Sequence, residues 1–396
     1  MEYQFSNRMS GLKPSAIREI FKVTQDPEVI SFAAGNPSPD SFPIRELKDI
    51  AADLFENSGK MALQYGMTEG YGPLRDITRE RISRKYSVGG EGDDLIITSG
   101  GQQTIELAAK VLLNEGDVVI SEEPSFIGAL NAFRSYGAQL VGCPMQEDGI
   151  DTERLEQLLR TTPGVKLIYT IPTFQNPSGR TMSLSRRRRL LELAEEYNVL
   201  IIEDSPYFEL RYSGEPVPAI KSMDTNGRVI YSGSYSKVLS PGIRLGFACA
   251  PAAIISKMVV AKQVSDVHTN LFFQMAAAEY LTRYDIDEHI RTISETYRQK
   301  RDRMLAAIDR HFDRRVQVSR PDGGLFIWCQ LPEGYDSMEL CRRATARKVA
   351  AVPGATFSVD ENAPNTGFRL NFSMPTDEQI DTGIAILGEI IGEMLQ

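Results

Sequence analysis

RVIYSGSYSKVLSPGIRLGF, residues 228–247, places one lysine between two apolar runs. The first run is rich in β-branched and aromatic residues and predicts a buried strand, and the Ser-Pro-Gly that follows predicts a turn. Lys237 therefore lies where a strand gives way to a loop, the position at which α/β enzymes hold chemically active groups. Its neighbours Ser234, Ser236 and Arg244 carry hydroxyls and a guanidinium, which suit an anion. Taken alone, the tetrapeptide also fits an ordinary solvated lysine beside a serine-rich turn.

Two upstream strands end in further groups of this kind. NVLIIEDSPYFEL (198–210) carries Asp204 and Tyr207 just past its apolar core, and KLIYTIPTFQNPSGR (166–180) ends in a turn that begins at Asn176. A carboxylate beside a pyridine nitrogen keeps it protonated, so the ring becomes an electron sink, and an Asn amide donates to a ring hydroxylate. An NPSG turn alone is more often structural. Three strand ends bearing Asn176, Asp204 and Lys237 indicate pyridoxal 5'-phosphate, whose aldehyde reacts with an amine and whose phosphate suits the anion-binding residues.

These motifs also resemble a known family. Asn176-Pro-x-Gly, Asp204-x-x-Tyr207 and Ser234-x-Ser236-Lys237 with Arg244 resemble the fold-type I pyridoxal phosphate aminotransferases of class I/II, and the likeness covers nearly the whole chain. Within that family the chain is most similar to the 2-aminoadipate and kynurenine-type aminotransferases. The segments that carry this likeness are IREIFKVTQDPEVISFAAGNPSPDSFP (17–43), LQYGMTEGYGPLR (63–75) and GSYSKVLSPGIRLGF (233–247).

The resemblance implies an enzyme that moves an amino group from an L-amino acid to a 2-oxo acid by a ping-pong mechanism. The implied donors are of the 2-aminoadipate, aromatic or branched-chain type, and the implied acceptor is 2-oxoglutarate. The choice among donors stays open, because pocket shape rather than the cofactor motif decides it.

Each matching residue inherits an expected role at the cofactor. Lys237 is expected to hold the cofactor covalently and then to move the substrate proton, with Asp204 at the ring nitrogen and with Asn176 and Tyr207 at the ring's phenolic oxygen. Phe126 matches an aromatic residue that stacks on the pyridine face, although packing is the commoner use of such a residue.

The phosphate is expected to be bound by Ser234, Ser236, Arg244 and the turn at residues 99–102, which contains Gly101 and Gln102. Many relatives carry a serine at the position of Gly101, so here backbone N–H groups are expected to serve. Tyr65 matches a tyrosine that reaches the phosphate of the neighbouring subunit, which implies a homodimer with shared active sites.

Three expectations concern the substrate. Arg369, on a strand-like run near the end of the chain, matches an arginine that binds the α-carboxylate together with Asn176. Gly35 matches a loop glycine whose backbone approaches the substrate. Arg18 matches an N-terminal helix that covers the site, so it is a candidate for binding a distal carboxylate. An ion pair of Arg18 with Glu19 or another neighbour, or a solvated charge, are the alternatives.

The order of elements predicts an α/β fold. Helical patterns alternate with short apolar strands, which predicts a three-layer αβα large domain with a mostly parallel sheet and a smaller α/β domain. The family implies seven strands in the large sheet, one of them antiparallel. The expected divisions are residues 1–44 as an N-terminal segment joining the small domain, 45–285 as the large cofactor-binding domain, and 286–396 as the small C-terminal domain.

Composition favours a soluble, cytoplasmic enzyme that acts on small molecules. The chain has 396 residues, 42% of them hydrophobic, and a net charge of −9, which disfavours nucleic acid as a partner. No apolar run approaches the ~18–20 residues that span a bilayer, and the opening lacks the apolar core of a secretory signal. The four cysteines and three histidines have no metal-ligand spacing, so no metal is expected. The basic run at residues 186–189 is interpreted as a solvated helix surface shared with Glu192, Glu195 and Glu196.

Two other functions remain to be weighed. A lyase or decarboxylase uses the same cofactor scaffold, and aminotransferase-like domains also form the effector-binding part of some transcription regulators. The regulators carry a winged-helix domain ahead of the matching region, and only about thirty residues precede the AAGNP loop here, which is too few for such a domain.

Overall fold

The computed structural model of this chain describes residues 3–10 and 26–396. Its strands, in chain order, are β1 (Ile30–Ser31), β2 (Asp93–Thr98), β3 (Val118–Glu123), β4 (Gln139–Gln146), β5 (Gly149–Ile150), β6 (Val165–Thr170), β7 (Leu200–Ser205), β8 (Val229–Ser234), β9 (Gly246–Pro251), β10 (Gln317–Val318), β11 (Phe326–Gln330), β12 (Val349–Ala350), β13 (Val352–Pro353) and β14 (Gly367–Asn371).

The α-helices of the same residues are α1 (Asn7–Ser10), α2 (Ile44–Ala62), α3 (Gly72–Tyr86), α4 (Gly101–Leu112), α5 (Ile127–Ser135), α6 (Thr152–Thr161), α7 (Leu184–Glu196), α8 (Ala252–Gln263), α9 (Leu271–Arg283), α10 (Ile286–His311), α11 (Ser337–Ala346) and α12 (Asp377–Met394). None of the helices within these residues is long and apolar enough to cross a membrane.

The large sheet has the strand order β2-β9-β8-β7-β6-β3-β4-β5. Strands β3, β4, β6, β7 and β8 are parallel to one another, and β9 is antiparallel to both of its neighbours, β2 and β8. The mostly parallel α/β class is therefore confirmed. An eighth strand, the two-residue β5, pairs antiparallel with the end of β4, because the chain reverses at once through a turn at Glu147 and Asp148. Gly149, the first residue of β5, has a φ of 117°.

Helices cover both faces of this sheet, which explains why its central strands are apolar on both sides. On one face, α4, α5 and α8 pack against alternate strand residues such as Ile202 and Ile230. On the other face, α6 and α7 pack against the residues between them, such as Ile201 and Val229. All four of these strand side chains are fully buried. The three-layer arrangement thus leaves the strand ends and the loops that follow them to form a site.

A second, four-stranded sheet has the order β10-β11-β14-β13 and is antiparallel throughout. Helices α10 and α12 pack against each other and share an apolar core with this sheet. β1 pairs with β12, where Ile30 lies opposite Val349, so the segment after residue 26 joins the C-terminal part of the chain. The division of the chain at residues 44 and 285 stays a prediction.

The basic run at residues 186–189 differs from the expected solvated surface. Arg187 is fully buried and donates to the carbonyls of Pro172, Met182 and Pro218 and to the hydroxyl of Thr173. Its position on α7 turns it toward the loop after β6, whose Pro172 carbonyl also accepts from the backbone N–H of Met182. Of the three expected glutamate partners, Glu192 lies 3.2 Å from Arg189. The run is therefore partly structural.

Candidate active site

A cavity of about 340 Å³ lies at the ends of β6, β7 and β8, beside the N-terminus of α4. All predicted site residues except Tyr65 and Arg18 line it, and they are Gly35, Gly101, Gln102, Phe126, Asn176, Asp204, Tyr207, Ser234, Ser236, Lys237, Arg244 and Arg369. Arg18 lies outside the described residues. The cavity is also lined by residues that the sequence did not single out, namely Asn36, Ile105, Ile171, Pro206 and Pro241.

Lys237 follows β8 by three residues and points its amine into this cavity. Its Nζ donates to the carbonyl of Gly35 at 2.7 Å and lies 5.9 Å from the centre of the Tyr207 ring. Burial, followed by the positive charges of Arg369 and Arg244, lowers the pKa of Lys237 to about 8. A lysine with such a pKa keeps a substantial neutral fraction near neutral pH, and the neutral amine is the form that attacks an aldehyde or accepts a proton.

Asp204 is a buried carboxylate in β7, the strand next to β8. Its Oδ2 accepts from the hydroxyl of Tyr169 at 2.9 Å. Burial raises the pKa of Asp204 to about 6, and the nearby hydroxyls of Tyr169 and Ser232 act in the opposite direction. A nearby cation, such as a protonated ring nitrogen, would stabilise the ionised carboxylate. The local sequence around Tyr169 gave no sign of this contact, although Tyr169 lies on β6, the strand that precedes the Asn176 turn.

Arg369 lies on β14 and is almost fully buried. Its Nη1 donates to Oδ1 of Asn176 and its Nη2 to the carbonyl of Ala33, both at 2.8 Å. The guanidinium lies over the rings of Phe326 and Phe357, 4.1 and 4.9 Å from their centres. Burial lowers the pKa of Arg369 to about 10. No carboxylate among the described residues pairs with this buried cation, and its Nε has no hydrogen-bond partner there, so it is suited to a bound carboxylate.

The loop that carries Asn176 is held by a fully buried acid, Glu122, at the end of β3. The Glu122 carboxylate accepts from the backbone N–H of Ile171 at 3.1 Å, from the Gln175 amide at 3.2 Å and from the Thr170 hydroxyl. Burial raises the pKa of Glu122 to about 7. Its sequence context, an acidic pair at a strand end, gave no sign of this role because the partners come from another strand.

An anion-binding corner forms where α4 begins. Gly100 precedes the helix with a φ of 81°, and no side chain of the described residues caps the first N–H groups. Arg244 lies against this turn and donates through Nη2 to the carbonyl of Ser99 at 2.9 Å. A Cβ on Gly100 would lie 2.5 Å from that Nη2, so only glycine lets the guanidinium come this close. The uncapped helix N-terminus, the guanidinium and the hydroxyls of Ser234 and Ser236 form a site for a phosphate.

Tyr65 lies outside the cavity and is 80% exposed, with its ring edge-on to His268 at 5.8 Å between centres. Other large apolar side chains on α2, α8 and the segments that follow them are also exposed, namely Phe55, Met61, Leu63, Met67, Val260, Val264 and Val267. An exposed apolar set of this size on α2, α8 and the segments that follow them is typical of a protein interface.

The residues present fit pyridoxal 5'-phosphate. The corner at α4 suits the phosphate, the amine of Lys237 suits the aldehyde, and the buried carboxylate of Asp204 suits the ring nitrogen. Gly101 leaves the space of a side chain beside Asp204 and Ser232, since a Cβ there would lie 3.7 and 3.4 Å from their oxygens. The cavity therefore offers each part of this molecule a chemically matched group.

Comparison with known proteins places the chain among enzymes. A family model described as aminotransferase class I and II matches residues 27–387. The aromatic-amino-acid aminotransferase 1 of Thermococcus litoralis is 42% identical over 100% of this chain and 95% of its own length. The crystal structure of Pyrococcus horikoshii kynurenine aminotransferase, in complex with PMP, is 41% identical, covers 99% of this chain and 98% of its own and has a TM-score of 0.95. The α-aminoadipate aminotransferase of Thermus thermophilus, complexed with N-(5'-phosphopyridoxyl)-L-leucine, is 37% identical with the same coverage and a TM-score of 0.90.

Proposed function

The chain belongs to the class I and II aminotransferases, and on that basis we propose that it transfers the amino group of an aromatic, 2-aminoadipate-type or branched-chain L-amino acid to 2-oxoglutarate. Pyridoxal 5'-phosphate is its cofactor. The three donor types are supported by the names of two relatives and by the leucine derivative bound in one of them. The observation that carries the proposal is the convergence of Lys237, Asp204 and Arg369 on one cavity.

The proposed cofactor contacts follow from the cavity. Bound pyridoxal 5'-phosphate takes up the amino group and the electron pair released at the substrate α-carbon. The N-terminus of α4, Ser234, Ser236 and Arg244 would hold the phosphate. Asp204 would keep the ring nitrogen protonated, while Asn176 and Tyr207 would donate to the phenolic oxygen, with Phe126 against the ring. Gly101 and Gln102 would contribute through the backbone of the helix start.

Lys237 would do the proton transfer. A neutral amine accepts a proton and an ammonium returns it, and a pKa of about 8 makes both forms accessible near neutral pH. The hydrogen bond to the Gly35 carbonyl supports this role, because it holds the amine at one place in the cavity.

Arg369 would bind the substrate's α-carboxylate. The unpartnered Nε and the absence of a carboxylate partner among the described residues support this assignment. Phe326 and Phe357 pack on the guanidinium and would keep it in place without neutralising it.

We further propose a homodimer in which Tyr65 reaches the phosphate bound by the other subunit. The exposed apolar side chains around α2 and α8 support an interface there, and Tyr65 is exposed among them. A dimer by light scattering at micromolar concentration, together with weaker cofactor binding by Tyr65→Phe, would support the shared site. A monomer with full activity would refute it.

The cytoplasm remains the proposed location. All four cysteines are buried and free, which suits a reducing compartment.

The activity is tested with a panel of amino donors against 2-oxoglutarate. Ping-pong kinetics and a 2-oxo acid product that depends on the acceptor are expected. Release of ammonia or carbon dioxide without an acceptor would instead favour the lyase or decarboxylase alternative. Site-specific DNA binding would favour a regulatory function.

A further inference from the structure

An ion pair between a buried lysine and a partly exposed aspartate lies behind the anion-binding corner, outside the cavity. Lys262, near the end of α8, is fully buried, and its Nζ donates to both carboxylate oxygens of Asp266 at 2.8 Å and to Oε1 of Gln103 at 2.6 Å. A buried ammonium is costly unless it is paired and fully hydrogen-bonded. Neither Lys262 nor Asp266 lines the cavity, so a role there has to act through other residues.

The pair is connected to Ser99 on two sides. The Ser99 hydroxyl donates to Oδ2 of Asp266 at 3.0 Å, and the Ser99 backbone N–H donates to Oε1 of Gln103 at 2.7 Å. Gln103 itself donates to Oδ2 of Asp266 at 2.8 Å. The position of Ser99 is therefore fixed by a closed network that ends on the Lys262–Asp266 pair.

Ser99 is also the residue that orients Arg244. Its carbonyl accepts from Nη2 of Arg244 at 2.9 Å, and the next residues, Gly100 and Gly101, begin the uncapped end of α4. The Ser99 hydroxyl is engaged with Asp266 and does not serve as a donor to the corner. Both walls of the corner, the guanidinium and the helix N-terminus, thus meet at a residue held by the Lys262–Asp266 pair.

We infer that Asp266, held by Lys262, is a positioning residue that sets the affinity of the corner for a phosphate group through Ser99. The inference rests on the proposed assignment of this corner to the cofactor phosphate. Loss of the Asp266 carboxylate would leave the Lys262 ammonium with only Gln103 as acceptor and the Ser99 hydroxyl with only the Thr269 hydroxyl, at 3.2 Å. The Gln103 amide would lose its acceptor as well. Ser99 would then no longer fix the direction of its carbonyl, and Arg244 would lose its orientation.

The test compares pyridoxal 5'-phosphate with pyridoxal, which lacks the phosphate. Calorimetric titration of the full-length apoprotein gives a dissociation constant for each. Asp266→Asn is expected to weaken binding of pyridoxal 5'-phosphate by about tenfold or more, the size of a lost charged hydrogen bond, and to change that of pyridoxal by less than about twofold. The affinity for inorganic phosphate, measured by competition, is expected to fall in parallel.

Two further variants separate positioning from general stability. Asp224→Asn disturbs a second lysine–aspartate pair, with Lys221 at 3.0 Å, in which both side chains are buried and neither lines the cavity. This variant is expected to lower stability and leave the ratio of the two dissociation constants unchanged. The double variant Lys262→Met with Asp266→Leu replaces the pair by apolar residues. It is expected to fold and still to lose the preference for the phosphorylated ligand.

The inference would be overturned if Asp266→Asn lost affinity equally for both ligands, or if the folded double variant kept the wild-type ratio of the two dissociation constants. In either case the assignment of the corner to the phosphate would stand. A wild-type protein that bound both ligands equally would overturn the assignment, and the inference with it.

Discussion

Arg369 donates to Oδ1 of Asn176 at 2.8 Å, although 193 residues separate them in the chain. Arg369 belongs to the four-stranded sheet and Asn176 to the loop after β6 of the large sheet. This hydrogen bond joins the two sheets at the side of the cavity assigned to the substrate carboxylate. The proposed substrate contact and the packing of the two sheets therefore depend on the same buried arginine.

Arg369→Lys is expected to reduce kcat/KM for amino donors by about 100-fold or more, because lysine lacks the planar fork that binds a carboxylate and would leave Asn176 and Ala33 without a donor. The loss should appear mainly as a higher KM, while the affinity for pyridoxal 5'-phosphate changes little. Steady-state kinetics with several donors measure it. Arg320→Lys, at an exposed position, is the control, and equal effects of the two changes would refute the assignment.

The amine of Lys237 is expected to react with the cofactor aldehyde with a pH midpoint near 8 in the apoprotein. The folded protein lowers this pKa from the usual 10.5, so the neutral, reactive amine accumulates as pH rises through about 8. Borohydride trapping followed by mass spectrometry, from pH 6 to 10, gives the rate of attachment. Lys237→Ala should show no attachment in the cavity and no turnover. A midpoint near 10.5 would contradict the influence of burial, Arg369 and Arg244.

Glu122→Gln is expected to change how stability depends on pH. Burial raises the Glu122 pKa from 4.5 to about 7, so the folded state holds this proton more tightly than the unfolded state. The stability that the bound proton of Glu122 contributes is fully present below about pH 4.5 and is lost as pH rises through about 7. The free energy of unfolding changes by on the order of 3 kcal/mol over this range. Gln cannot ionise, so the variant should gain stability relative to wild type between pH 5 and 8. Denaturant unfolding of both proteins measures this, and parallel pH profiles would exclude it.

Gly100→Ala is expected to weaken cofactor binding. The added Cβ would lie 2.5 Å from Nη2 of Arg244 and would push the guanidinium away from Ser99. Gly116→Ala is the matched control, since Gly116 has a similar φ of 89° but has no atom near its added Cβ. Both changes introduce backbone strain of about 1 kcal/mol, and Gly100→Ala alone should raise the dissociation constant of pyridoxal 5'-phosphate. Equal affinities in the two variants would show that the close contact is unimportant.

Arg187→Met is expected to lower the free energy of unfolding by about 3 kcal/mol or more, because the carbonyls of Met182 and Pro218 and the Thr173 hydroxyl lose the donor that Arg187 supplies. Its neighbour Arg188 is exposed, so Arg188→Met should change stability by less than about 0.5 kcal/mol. Urea unfolding of the two variants gives the comparison. Similar values for both would restore the solvated-surface interpretation of residues 186–189.

Much of the fold was accessible from local pattern. Short apolar runs, turn residues and alternating helices predicted the parallel sheet, and the positions of Asn176, Asp204 and Lys237 after three strands predicted that they would meet at one edge. The structure brings these three to one cavity. The two-residue β5 escaped prediction because so short a strand has no periodicity to detect.

The sequence by itself determined the family, the cofactor and the strand-end residues, because each depends on residues close together in the chain. Only the tertiary structure decided which charges are buried. Arg187, Glu122 and Lys262 have the local patterns of surface residues, yet all three are buried, with partners that include residues of other elements. Among the described residues the Arg369 Nε has no partner. Burial and pairing depend on distances between remote segments, and those distances exist only once the sheets and helices have packed.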